Sequence, residues 1–414
     1  MEGFLMLTSL GLIFLTGMAL GWVCRKCRLP GLLGMMAAGI LLGPCVLDLL
    51  DDSILNISAD LRQIALIIIL TRAGLSLNLE DLKKVGRPAV LLCFVPASFE
   101  MAGIVLLAPP LLHISYGEAA ILGAVLAAVS PAVIVPKMLK LMEKKRGTGK
   151  SIPQMLLAGA SVDDVFVIVM FTSFMGLEQG GSFSPLTLVQ IPVSIVTGIA
   201  AGLGIGLLLA LYFKKVHIRD SLKVVILLSI SCILVSQQDT IGAYVPFSGL
   251  LAVMSMGVAV QKKREPAAVR LSVKYSKLWT AAEVLLFVLV GATVDLQYVA
   301  GAGLAAVAQI FGALIFRMAG VTVCLLKTPL NRKERLFCTV AYMPKATVQA
   351  AIGGLPLAAG LACGHLVLTV AVLAILITAP LGAFGIDLLY RRCLQPEPAQ
   401  IIEKIHHDTT LMQF

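Results

Sequence analysis

Two adjacent aspartates stand in an otherwise apolar part of the sequence. Asp163 and Asp164 lie within AGASVDDVFVIVMF, residues 158–171. A charged side chain at the centre of a bilayer costs about 3 kcal/mol or more, and such residues mark ion or proton pathways. The pair therefore indicates either a cation or proton site, or a structural pair of hydrogen-bonded carboxyl groups.

The apolar runs hold three further ionisable residues, namely Glu100, Arg317 and Lys345. If all five groups are charged, three negative charges meet two positive ones, and one carboxylate has no counter-charge. Desolvation raises the pKa of a buried carboxyl group and a nearby cation lowers it, so protonation can fall in the physiological range. A proton and Na⁺ can then compete for the surplus carboxylate. Because successive helical residues point about 100° apart, only one aspartate of the pair can face such a site squarely.

The remaining polar residues of these runs have predicted supporting roles. We expect Glu100 and Arg317 to form a buried salt bridge, with direct ion handling as the alternative. Lys345 follows Pro344, where its ammonium group can compensate the dipole of a helix end; the alternative is that it snorkels to the membrane surface. The Ser130 hydroxyl can be an ion ligand or a packing group.

Composition predicts an all-α polytopic membrane protein. Of 414 residues, 58% are hydrophobic and 14% charged, and the mean hydropathy is +0.95. A soluble protein of this length would need far more polar surface. The net charge of +10 resides in short loops between apolar runs, which indicates membrane topology and argues against nucleic-acid binding. The first run is followed by basic residues, so we expect no cleaved signal peptide, and the nine cysteines suggest no disulfide framework.

The apolar runs predict thirteen membrane-spanning helices in a plasma membrane. Basic loops follow the odd-numbered spans, which predicts an external N-terminus and a cytoplasmic C-terminus. The predicted spans are residues 3–23, 30–49, 59–76, 87–108, 116–137, 151–176, 187–213, 221–238, 241–260, 276–295, 299–326, 333–358 and 364–390.

The sequence also predicts two inverted six-helix repeats joined by the seventh span. LTRAGLSLN (70–78) resembles LVGATVDLQ (289–297), seven spans later. Prolines interrupt the fifth and twelfth spans, at Pro131, Pro136 and Pro344, so each is predicted to be two half-helices. Gly198, Gly202 and Gly206 predict a helix-packing face rather than a nucleotide loop. We expect Arg72 to reach the membrane surface.

At these residues the sequence resembles the NHA-type sodium/proton antiporters of the cation–proton antiporter superfamily. The resemblance rests on AVSPAVIVP (128–136), AGASVDDV (158–165) and AYMPKATVQAAIGG (341–354), together with Glu100 and Arg317. It implies a homodimer in the lipid bilayer, an elevator-type mechanism, crossed fifth and twelfth helices and no cofactor. It assigns Asp164 as the main carboxylate for Na⁺ or Li⁺, with Asp163 as its partner.

The same resemblance implies a division of the chain into domains. The dimerisation domain comprises residues 1–76 and 221–295. The ion-transporting core comprises residues 87–176 and 299–390. Residues 187–213 form the linker helix, and residues 391–414 form a short cytoplasmic tail.

One residue departs from the pattern of the electrogenic bacterial relatives. They carry a lysine where this chain has Arg317, and arginine does not deprotonate in proteins, which favours electroneutral exchange. The alternatives are a potassium/proton antiporter on the same scaffold and a sodium-coupled symporter of an organic anion. An intramembrane aspartyl protease is disfavoured, because its two aspartates must face each other from different helices. The chain is therefore not predicted to be an enzyme.

Overall fold

The computed structural model describes residues 2–27, 29–77, 86–180, 185–242, 244–294 and 296–396. Within these residues the chain is helical throughout, apart from loops, one 3₁₀ turn at Thr148–Lys150 and an isolated bridge between Arg146 and Pro396. The predicted all-α class is confirmed. The tail from residue 397, with His406 and His407, lies outside the described residues, as do Asn78 and Asp295 of the two repeat motifs.

The described residues form nineteen α-helices, numbered here in chain order. They are α1 Glu2–Lys26, α2 Gly31–Leu42, α3 Asp52–Asn56, α4 Ser58–Ser76, α5 Arg87–Leu92, α6 Val95–Leu112, α7 Tyr116–Ala127, α8 Pro131–Glu143, α9 Ile152–Gly180, α10 Pro185–Lys215, α11 Asp220–Ser236, α12 Gln238–Gly242, α13 Gly249–Lys263, α14 Glu265–Ala292, α15 Leu296–Cys324, α16 Arg332–Ala341, α17 Thr347–Ile352, α18 Leu355–Ala358 and α19 Gly364–Cys393.

Eight helical stretches of the described residues are long and apolar enough to cross a membrane, and they confirm a polytopic membrane protein. These stretches are Leu5–Lys26, Arg87–Leu112, Tyr116–Glu143, Ile152–Glu178, Val193–Lys215, Glu265–Ala292, Gly303–Cys324 and Gly364–Cys393. The helices at the other predicted spans are shorter, interrupted or richer in charge. The count of thirteen therefore stays a prediction.

Several helix boundaries differ from those predicted. The span predicted at 241–260 begins later, at Gly249, because Pro246 interrupts the chain after the short helix Gln238–Gly242. The following helix starts at Glu265 instead of residue 276, so basic residues assigned to a loop lie on its first turns. Proline suits the first helical turn, and Pro266 occupies that position.

Two of the three predicted proline breaks coincide with helix interruptions, and the third prediction is wrong. α7 ends at Ala127 and α8 begins at Pro131, while Pro344 lies between α16 and α17. Pro136, by contrast, lies inside α8, which continues to Glu143. A proline removes one i→i−4 hydrogen bond but need not end a helix. The acceptor that it leaves free belongs to Ala132, which lines a cavity together with Pro136, and irregular backbone is tolerated in a membrane where it lines a cavity.

The helices pack in two groups that position the polar residues. In the first group, α14 packs against α2 and α4, and α13 packs against α4 and α10. In the second group, α6 packs against α7 and α15, and α9 packs against α7 and α8. The short helix α17 contacts α4 and α14 and so touches the first group.

The predicted glycine face of α10 is confirmed by its approach to α13. A Cβ atom added at Gly202 would lie 2.2 Å from the carbonyl oxygen of Ala252, and one at Gly206 would lie 2.5 Å from that of Met256. Only glycine allows the two backbones to come this close, as at other small-residue helix contacts in membranes.

Candidate functional site

Arg317 of α15 lies at the centre of the polar cluster and is fully buried. Its Nη1 donates to Glu100 Oε2 at 2.8 Å, and its Nη2 donates to Asp163 Oδ2 at 3.1 Å. Its Nε donates to the carbonyl oxygen of Tyr342 at 2.7 Å. The guanidinium group thus joins α6, α9 and the break after α16, as a planar five-donor group can.

Glu100 contacts a second cation besides Arg317. Lys345 Nζ lies 2.6 Å from Glu100 Oε1, and both side chains are buried. The predicted pairing of Glu100 with Arg317 is present in the structure, and Lys345 completes a buried cluster that the sequence did not predict. Lys345 does not snorkel to the surface.

The carbonyl end of α7 receives donors from two other segments of the chain. Lys345 Nζ donates to the carbonyl oxygen of Leu126, and Arg317 Nη1 donates to that of Ala127. Gln349 Nε2 donates to the carbonyl oxygens of Leu126 at 3.2 Å and Ala128 at 2.8 Å. Unpaired carbonyls at a helix end carry negative partial charge. The position of Lys345 therefore fits its predicted compensation of a helix dipole.

The two chain interruptions contact each other directly. The backbone N–H of Ser130 donates to the carbonyl oxygen of Pro344 at 2.7 Å. On the far side of Pro344, the backbone N–H of Lys345 donates to Thr378 Oγ1 at 3.0 Å. Backbone groups freed by the breaks are thus satisfied by one another and by α19, as burial in an apolar interior requires.

The two aspartates have different surroundings. Asp163 is fully buried, and its Oδ2 accepts from Arg317 and from the backbone N–H of Val129 at 2.8 Å. Asp164 is 8% exposed. Among the residues that the structure describes, no basic side chain lies within ion-pair distance of Asp164. Asp164 is therefore the carboxylate without a counter-charge that the charge count of the sequence requires.

Several buried oxygen atoms of the aspartates and of the two interrupted segments have no hydrogen-bond partner within the described residues. They are Ser130 Oγ, Asp163 Oδ1, Asp164 Oδ1, Thr347 Oγ1 and Gln349 Oε1. Unsatisfied buried oxygens are costly, and hydroxyl, carboxylate and amide oxygens are the donor atoms that hard cations bind. The chemistry of this set suits a small, hard cation.

A cavity of about 640 Å³ reaches Asp164. On one wall lie Pro131, Gln154 and Asp164, from α8 and α9 of the second helix group. The opposite wall comes from α4 and α14 of the first group, and it includes Arg72, Trp279 and Glu283. The cavity therefore lies between the two groups of helices.

Three residues of this region have positions to which the sequence assigned no role in the site. Gln349 lies in the quoted motif AYMPKATVQAAIGG, but its amide had no assigned role. Glu283 is an acid inside the predicted span 276–295, which is the same signal that identified Glu100. Arg72 lines the cavity, and its expected reach to the membrane surface stays a prediction.

Comparison with known protein families identifies the family of this chain. The family model described as "Sodium/hydrogen exchanger, transmembrane" matches residues 11–391. The chain belongs to the sodium/hydrogen exchanger family. The resemblance drawn from the motifs around Asp163, Asp164 and Lys345 is thereby confirmed.

Similar family members include two mammalian proteins. Sodium/hydrogen exchanger 9B2 of Mus musculus is 33% identical over 398 residues, which cover 92% of this chain and 72% of the relative. Sodium/hydrogen exchanger 9B2 of Homo sapiens is 34% identical over 385 residues, which cover 89% of this chain and 70% of the relative.

Two solved structures share the fold. A structure of the sodium proton antiporter MjNhaP1 from Methanocaldococcus jannaschii aligns with a TM-score of 0.84 at 20% identity, covering 95% of this chain and 99% of that chain. A second structure of MjNhaP1 aligns with a TM-score of 0.74 at 21% identity.

Proposed function

We propose that this family member exchanges Na⁺ or Li⁺ for H⁺ across the membrane, with Asp164 binding the cation and the proton in turn. The observation that carries the proposal is that Asp164 lines the cavity and has no counter-charge among the described residues. An anionic carboxylate in that position attracts a cation, and protonation removes the attraction. Alternating access to such a site produces exchange.

Asp163 is proposed as the fixed partner of Asp164. Its Oδ2 is held by Arg317 and Val129, while Oδ1 has no hydrogen-bond partner within the described residues. Asp163 can thus contribute one oxygen to a bound cation and keep its own charge balanced by Arg317. Ser130 Oγ is proposed as a further ligand, because it is buried and also without a hydrogen-bond partner within the described residues.

This division of roles favours one proton exchanged for each cation. Arg317 does not release a proton at physiological pH, and Asp163 stays ionised beside it. Only Asp164 then changes its charge during the cycle. Exchange of one H⁺ for one monovalent cation moves no net charge across the membrane.

The proposed architecture has thirteen helices in two inverted repeats, with crossed broken helices and a homodimer in the plasma membrane. The hydrogen bond from Ser130 to Pro344 supports the crossing of the two breaks. We assign the first helix group, apart from the linker helix α10, to the dimerisation domain and the second group to the core. A cavity between the two groups supports an elevator-type movement of one against the other.

The extent of the cavity also supports the proposal. Its lining includes Leu139 and Met142, next to the basic loop 144–150. Basic loops indicate the cytoplasmic side. We therefore assign this arrangement to the state in which Asp164 is accessible from the cytoplasm.

The test is ion-driven proton flux in proteoliposomes, with Na⁺, Li⁺ and K⁺ offered separately. Wild type should move protons in response to Na⁺ and Li⁺, and Asp164→Asn should abolish this flux while the protein still folds in detergent. Asp52→Asn is the matched control, because Asp52 is an exposed aspartate outside the cavity lining. Flux driven by K⁺ alone would identify a potassium/proton antiporter, and near-normal flux in Asp164→Asn would remove the proposed site.

A further inference from the structure

Two charged residues on the wall facing Asp164 have no part in the proposed exchange step. Arg72 of α4 and Glu283 of α14 line the same cavity as Asp164, and their helices pack against each other. Both side chains are half-buried. Trp279, one helical turn before Glu283, also lines the cavity, so this face of α14 forms the cavity wall.

Arg72 and Glu283 interact electrostatically without closing on each other. The guanidinium group of Arg72 and the carboxylate of Glu283 lie within electrostatic range of each other. The positive charge of Arg25 also acts on Glu283. In the described part of the chain the two side chains form no direct ion pair. Both charges therefore face the cavity instead of neutralising each other in a tight bridge. Among the residues that the structure describes, the ionisable groups at this place are Arg25, Arg72, Glu283 and Asp164.

An arginine without an acidic neighbour disfavours the entry of cations into a cavity. Its positive charge lowers the local concentration of cations in a cleft with low-dielectric walls, and an acid beside it restores that concentration. A unit charge about 10 Å away changes cation binding by about four- to fifteenfold at an effective dielectric constant of about 20 to 40. A residue with this effect changes the affinity for the cation without taking part in the exchange step itself.

We propose that Glu283 and Arg72 set the affinity of the cavity for the entering monovalent cation, with Glu283 attracting the cation and Arg72 limiting its binding. This inference rests on the proposed cation exchange at Asp164. It assigns the pair to the wall opposite the binding carboxylate. Glu283 is a positioning residue for the cation, and Asp164 remains the group that binds it.

The proposal predicts opposite effects of the two neutral variants on apparent affinity. Glu283→Gln should raise the Na⁺ concentration for half-maximal exchange about four- to fifteenfold, and Arg72→Gln should lower it by a similar factor. The double variant should lie near wild type, and the maximal rates should stay within about twofold of wild type. Raising the ionic strength with an impermeant salt should shrink each shift, because the charges are screened.

Matched controls and a second readout separate this inference from the proposed function. Glu265→Gln and Lys277→Gln remove one charge each from exposed positions on the same helix, outside the cavity lining. They should leave the half-maximal concentration unchanged. Glu283→Asp keeps the charge and should stay near wild type. In detergent, the Na⁺ concentration that gives half of the maximal rise in melting temperature should shift in parallel with the transport data.

The outcomes are distinguishable. If wild type shows no cation-driven proton flux, or Asp164→Asn keeps it, the proposed function itself fails. If wild type exchanges ions and Asp164→Asn does not, an unchanged half-maximal concentration in Glu283→Gln overturns the role of this pair. Complete loss of both flux and sodium protection in a folded Glu283→Gln protein would also overturn it, because Glu283 would then be a required ligand.

Discussion

Lys345 Nζ lies 2.6 Å from Glu100 Oε1, and Arg317 Nη1 lies 2.8 Å from the other oxygen of the same carboxylate. Glu100 is thus held by two cations from segments more than 200 residues away. Arg317 has enough donors to hold Asp163 as well. Two acids and two bases therefore balance one another, and Asp164 is the acid that remains.

The first prediction is energetic coupling within this cluster. Glu100→Gln, Arg317→Gln and Lys345→Gln should each lower the melting temperature, and Arg317→Gln should lower it most, because it leaves both Glu100 and Asp163 without the cation that holds them. Removing one partner of a buried pair costs about 3–5 kcal/mol. In a double-mutant cycle, Glu100→Gln combined with Arg317→Gln should cost less than the sum of the single changes. Additive losses of thermal stability would mean that the contact contributes nothing.

The second prediction is that replacement by asparagine affects the melting temperature differently at the two adjacent aspartates. Asp163→Asn removes the partner of Arg317 and should lower the melting temperature measured without sodium. Asp164→Asn removes a buried charge that has no counter-charge among the described residues, so the melting temperature should stay the same or rise. Detergent melting curves of both variants in sodium-free buffer test this. A larger loss in Asp164→Asn than in Asp163→Asn would contradict the division of roles.

Part of this arrangement could be predicted from the sequence. Charge inside an apolar run is a local signal, and it identified Glu100, Asp163, Asp164, Arg317 and Lys345. The count of their charges also required one unpaired acid. The choice of Asp164 came only from the family resemblance, because helical periodicity shows that two neighbours diverge but not which of them meets Arg317.

Other features depend on contacts that local patterns do not encode. Lys345 reaches Glu100 only because two interrupted segments lie against each other, with Ser130 bonded to Pro344. In sequence, Pro136 resembles a helix break, yet α8 continues past it. The carbonyl group of Ala132, which Pro136 leaves without its helical donor, belongs to a residue that lines the cavity. Glu283 carried a usable signal, but its place opposite Asp164 depends on how the two helix groups face each other.

The third prediction concerns sodium binding and pH. A ligand that binds only the folded state raises its stability by mass action. Because protons compete with Na⁺ for Asp164, the rise in melting temperature caused by Na⁺ should grow as pH increases. Asp164→Asn should show no such rise at any pH, whereas the exposed variant Asp52→Asn should behave as wild type. Equal protection of Asp164→Asn and wild type would place the sodium site elsewhere.

The fourth prediction tests the position of the second chain break. A Cβ atom added at Gly382 of α19 would lie 2.2 Å from Pro344 Cγ. Gly382→Ala should therefore displace Pro344, weaken the hydrogen bond from Ser130, and reduce both exchange and melting temperature. Gly204→Ala is the matched control, since a Cβ atom there would have no neighbour within 4 Å among the described residues. Alanine in that helix should be neutral or slightly stabilising.

The last prediction concerns net charge movement. If Asp163 stays ionised beside Arg317, only Asp164 exchanges a proton for a cation, and each cycle moves no net charge. Solid-supported-membrane recordings should then show no sustained current after a sodium jump, while a pH dye in matched proteoliposomes reports proton flux. Clamping the membrane potential with potassium and valinomycin should leave the flux unchanged. A sustained sodium-driven current that reverses with the imposed potential would mean that a second group releases its proton, and Asp163 is the first candidate.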